Sequence, residues 1–76
     1  MNKNRRKAIE SIIDNLMDLS SEIEGIINDE QDALDNIPES LQESERANTM
    51  RDAIEALEDA NSSIQEVLSY LSDSMA

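Results

Sequence analysis

Apolar residues recur along this chain at intervals of three and four, in two long runs separated by a short polar stretch. In the first run Ile9, Ile12, Ile13, Leu16, Leu19, Ile23, Ile26, Ile27, Ala33 and Leu34 fall at heptad positions a, d and e. In the second, Ala47, Met50, Ala53, Ile54, Leu57, Ala60, Ile64, Val67, Leu68 and Leu71 fill the same positions. This period is helical, and three apolar columns per heptad form a stripe wider than a two-stranded coiled-coil seam. The pattern predicts two helices, over about 3–36 and 43–73.

The interruption is Asn36-Ile37-Pro38-Glu39-Ser40-Leu41-Gln42-Glu43, which holds the one proline of the chain. A residue before proline is pushed out of the α region, so the first helix should stop at Asn36 or Ile37. Ser40 followed by Glu43 fits a capping box, and Ser44 is a second candidate cap; the second helix therefore starts between 40 and 45. Leu41 is expected to drop back over the core. Counting outward from position 40, Leu16 mirrors Ile64, Ile23 mirrors Leu57 and Ile9 mirrors Leu71. Apolar columns matched in this way predict an all-α fold, an antiparallel two-helix hairpin in a single domain over 1–76.

Four residues depart from the pattern. Ser20 and Asn61 are polar sites within the stripe, and a seam asparagine fixes register or oligomer state at some expense of stability. Glu30 occupies an a position, where a lone carboxylate is costly unless paired. The mirror register brings it near Met50, so an ion pair to Arg46 or Arg51 is expected, with a splayed, wet hinge end as the alternative. Gly25 lies mid-helix on the polar side, a weak spot worth about 1 kcal/mol relative to alanine.

Two helices share only one seam, and a 76-residue chain with one aromatic, Tyr70, has little else to bury. No cysteine staples it. The missing burial is expected from association, most simply dimerisation into a four-helix bundle, or from a partner protein. The formal charge is −12, from eighteen acids and six bases. Four of the bases, Lys3, Arg5, Arg6 and Lys7, precede Ala8; only Arg46 and Arg51 follow it. Such a surface repels nucleic acid and anionic membrane and suits a basic protein surface. The basic start runs into Glu10 and Asp14 rather than an apolar stretch, unlike a secretory signal, and no apolar run approaches transmembrane length. A cytoplasmic location is expected.

Catalysis is not expected. With no histidine, no cysteine and no glycine-rich loop, nucleophile–base pairs and phosphate cradles cannot be assembled. Asp29-Glu30-Gln31-Asp32-Ala33-Leu34-Asp35 is dense in carboxylates but lacks the glycine and terminal glutamate of an EF-hand, so neither a metal nor another cofactor is expected. The acids themselves form columns. Glu10, Asp14, Asp18 and Glu22 recur every four residues, and Glu45, Asp52, Asp59, Glu66 and Asp73 every seven. At 1.5 Å per residue the steps are about 6 Å and about 10.5 Å. The first spacing resembles one phosphate strand and the second does not. Heptad periodicity alone also lines up charges on any amphipathic helix.

The hinge segment Asp35-Asn36-Ile37-Pro38-Glu39-Ser40-Leu41-Gln42-Glu43-Ser44-Glu45-Arg46, with the upstream Asp29-Glu30-Gln31 and the basic start Met1-Asn2-Lys3-Asn4-Arg5-Arg6-Lys7, resembles small acidic proteins encoded by phages and prophages of Gram-positive bacteria. The resemblance spans nearly the whole chain, with the hinge as its specific part. It carries over no functional residue. It implies a bacterial host and a class of small acidic phage proteins that bind and block host proteins, defence nucleases among them. The leading expectation is a non-catalytic inhibitor whose contact residues are Glu10, Asp14, Asp18, Glu22, Asp52, Asp59 and Glu66. Two alternatives stand beside it: a structural bundle that uses the apolar stripe, and an oligomer that sequesters nucleotides on Arg5, Arg6 and Lys7, because phosphates need such donors.

Overall fold

The computed structural model describes residues 1–76. Helix α1 spans Lys3–Asp35, a single 3-10 turn spans Glu39–Leu41, and helix α2 spans Glu45–Ser74. Asn2 caps α1: its Oδ1 accepts from the Arg5 N–H at 2.8 Å. Ser44 caps α2, its Oγ accepting from the Ala47 N–H at 3.2 Å. Ser40 is therefore not the cap. The chain leaving Pro38 first winds through the 3-10 turn, with Leu41 N–H donating to the Pro38 carbonyl at 2.8 Å. It is free to enter α2 only after that turn closes.

The two helices pack antiparallel, and their seam uses two of the three apolar columns. Ile9, Ile13, Leu16, Ser20, Ile23, Ile27, Glu30 and Leu34 of α1 are buried or half-buried. So are Ala47, Met50, Ile54, Leu57, Asn61, Ile64, Leu68 and Leu71 of α2. These are the a and e sites, spaced alternately by four and three residues. The d sites, Ile12, Leu19, Ile26 and Ala33 on α1 with Ala53, Ala60 and Val67 on α2, are exposed. One facing helix covers about two columns of its partner, so the third column of each helix is left in solvent.

Dry packing is confined to the hinge end. Leu34, Ala47 and Ile54 are the buried apolar residues, with Ile27, Ile37 and Met50 packed against them. Ile37 closes this end, and Leu41 is 52% exposed instead of folding over the core. Gln42 fastens the connection. Its Nε2 donates to the carbonyls of Leu34 (3.1 Å) and Ile37 (2.7 Å); the first also accepts from the Ile37 N–H at 3.1 Å, and the second lies just past the end of α1. Its Oε1 accepts from Arg51 Nη2 at 2.9 Å. Arg51 also donates from Nη1 to Asn48 Oδ1 at 3.0 Å. The expected pairing of Glu30 with an arginine is thus not made. Arg51 is held by amide oxygens from the connection and from its own helix, Arg46 lies exposed, and Glu30 stays half-exposed to water.

Midway along the seam lies a polar layer. Ser20 Oγ donates to Asn61 Oδ1 at 2.6 Å and accepts from Gln65 Nε2 at 3.3 Å. Ser20 is 7% exposed, so this bond is made where an unpaired hydroxyl would be costly. A one-heptad slip of either helix would separate Ser20 from Asn61, which makes the layer a register pin.

Candidate interaction surfaces

The rod measures 59 × 15 × 12 Å and presents three kinds of surface. On one long side, an open groove of about 760 Å³ is lined by Glu24, Asn28, Glu58, Asn61, Ser62 and Gln65, with Ile27 as its one apolar lining residue. Glu24 and Glu58 each stand two residues before a d site, and they share this groove. The d columns lie across the seam from those glutamates in both helices, so antiparallel pairing brings them together on the opposite long side.

That opposite side is uncharged over most of its length. Ile12, Leu19 and Ile26 are 47, 49 and 53% exposed there, and Val67 is 43% exposed. Ala33, Ala53 and Ala60 lie in the same two columns. The next column outward on α2 is Thr49, Ala56, Ser63 and Tyr70, all exposed, with Tyr70 at 70%. None of these residues is Asp, Glu, Lys or Arg, and only Arg5 and Arg46 stand at the ends of the d columns; the matching outward column on α1 is Ala8, Asn15, Glu22 and Asp29. In a chain of net charge −12 this is the long surface with the fewest carboxylates: none borders it on α2, and Glu22 and Asp29 border it on α1. The sequence signal for it is visible in retrospect: a third apolar column in both helices, flanked on α2 by small or uncharged residues.

The acids occupy the remaining outer surface. Every carboxylate except Glu30 is exposed, and among them only Asp35 accepts a side-chain hydrogen bond, from Gln31 Nε2 at 3.0 Å. Asp52, Asp59, Glu66 and Asp73, with Glu45, form a nearly straight ridge on α2, because seven residues complete almost two turns. Glu10, Asp14, Asp18 and Glu22 do not form such a line. Each four-residue step overshoots a turn by about 40°, so the row curls by about 120° from the groove side toward the uncharged side. It offers a broad negative patch and not a strand-like edge. Lys3, Arg5, Arg6 and Lys7 are exposed in the first turns of α1, at the end of the rod where α2 terminates. No three carboxylates converge as metal ligands would. No helix is long and apolar enough to cross a membrane.

No family model matches the chain, and neither the curated proteins nor the solved structures contain a match to it.

Proposed function

We propose that this protein is a non-catalytic interaction module that works as a dimeric four-helix bundle and binds a basic, nucleic-acid-binding host protein, a defence nuclease being the leading candidate. The observation that supports it most is the state of the acids. Apart from Glu30 they stand exposed on the outer surface, and no internal arginine or lysine hydrogen-bonds to any of them. They are available to an outside partner, and a surface of this sign attracts a protein that itself binds phosphates. The likeness to small acidic phage proteins supplies the inhibitor part of the reading and the expectation of a bacterial cytoplasm.

The contact residues in this reading are Glu10, Asp14, Asp18 and Glu22 on α1 with Asp52, Asp59 and Glu66 on α2. Association of this kind is fast and weakens as salt screens the charges, over a Debye length of about 10 Å at 0.1 M. The test uses wild-type protein and the triple variant Asp14→Lys, Asp18→Lys, Glu22→Lys as baits in a Gram-positive lysate. The expected result is a nuclease-class protein that the wild type retains at low salt, releases at high salt and inhibits in a cleavage assay. The triple variant should lose both capture and inhibition. Retention indifferent to salt, or inhibition that survives charge reversal, contradicts the proposal.

A further inference from the structure

We infer that a second copy of this chain covers the uncharged side, and that the two copies run head to tail. Three observations point there. The first is area. The chain exposes 5625 Å², whereas a compact monomer of 8.5 kDa exposes about 4,700 Å². The excess, about 900 Å², is close to the roughly 800 Å² that each partner contributes to a stable interface of standard size. The second is where apolar surface remains. Ile12, Leu19, Ile26, Val67 and Tyr70 lie on one side, with alanines between them that allow close approach. The third is charge. A partner of net charge −12 is repelled by every acidic face, and this side opposes the fewest carboxylates: its d columns and the α2 column beside them carry none, and only Glu22 and Asp29 border it on α1.

The same charges choose the orientation. The terminal end of the rod carries Lys3, Arg5, Arg6 and Lys7, and the hinge end carries Asp29, Asp32, Asp35, Glu39 and Glu43. A twofold axis along the rod would place the two basic ends together and the two acidic ends together. A twofold axis across the rod sets each basic end beside the partner's acidic hinge. It also lays α1 antiparallel against the second α1, with Leu19 at the axis. Ile12 then faces Ile26 of the second copy, and on α2 Val67 faces Ala53. This deepens the dimeric reading above and does not depend on the identity of the basic partner.

Sedimentation equilibrium of the full chain tests the surface. Wild type is expected as a dimer and Leu19→Asp as a monomer. Met17→Asp, at a comparably exposed position on the groove side (55%), is expected to remain dimeric. Circular dichroism of each variant reports whether the helices persist; if Leu19→Asp melts, Ala60→Glu on the facing column replaces it with the same expectation. The chain has no cysteine, so engineered pairs read out the orientation without background. A mixture of Ile12→Cys and Ile26→Cys chains should form an inter-chain disulfide under mild oxidation, whereas Ile12→Cys mixed with Val67→Cys should not. A monomeric wild type, a dimer indifferent to both strip substitutions, or a disulfide between positions 12 and 67 in place of 12 and 26 would overturn the inference. Leu19→Asp leaves Asp14, Asp18 and Glu22 in place, so a monomer that still captures the basic partner is distinguished from loss of partner binding itself.

Discussion

Single side chains decide where the hairpin turns and in which register it closes. Gln42 does most at the turn. One amide satisfies the Ile37 carbonyl, adds a second bond to the Leu34 carbonyl and holds Arg51 of α2, so it ties both helices to the connection. Gln42→Ala removes all three bonds and leaves the Ile37 carbonyl and the Arg51 guanidinium to find water, while the Leu34 carbonyl keeps the Ile37 N–H. Stability should fall by about 1–2 kcal/mol, measured by denaturant unfolding at one fixed protein concentration, with helix content unchanged under native conditions. A loss below a few tenths would mean that water replaces the amide without penalty. Nothing in the residue string marks Gln42 for this role, because its partners are main-chain atoms whose positions appear only once the turn exists. Ser20 and Asn61 were legible as polar residues in an apolar stripe, and they meet. Glu30 was equally legible, but its expected arginine is held elsewhere. A break in a pattern identifies a residue that needs an explanation, while its partner depends on which competing group is nearer.

For the helices, periodicity was sufficient to place both bodies to within a residue or two. The ends were less legible. Ser40 and Ser44 are each good caps by composition, and the choice between them rests on the 3-10 turn that Pro38 initiates. The apolar stripe was legible in width but not in use. Three columns per helix read as one face, yet an antiparallel pair covers two of them, and the d columns are left over. Within α1, Gly25 is exposed on the outer surface, and a Cβ built there meets nothing within 4 Å. Gly25→Ala should therefore raise stability by about 0.5–1 kcal/mol, chiefly by restricting the unfolded chain. Thermal or denaturant unfolding checks this. A loss of stability would show that the outer face at residue 25 is covered in solution.

The whole molecule is a rod with an acidic outer surface and one uncharged side. Its radius of gyration is 17.4 Å, against about 11 Å for a compact chain of this length. Such a shape buries little: three apolar residues are buried, all in the hinge half, and the apolar seam of the terminal half is only half-buried. Repulsion among the carboxylates works against that seam, and the proposed second copy on the uncharged side would add burial where the fewest carboxylates stand. Both the free acids and the uncharged side depend on the fold-back at residue 40, which sets what faces in and what faces out. The most direct measurement is the distance between spin labels at Ser11→Cys and Ser69→Cys, in labelled chains diluted with unlabelled protein so that only intrachain pairs contribute. Both positions are exposed and lie near the same level of the rod. Packed helices with axes 8–10 Å apart predict a narrow distribution below about 30 Å. A single helix continuous through Pro38 would place the labels about 87 Å apart at 1.5 Å per residue, and a distance near that value would contradict the hairpin.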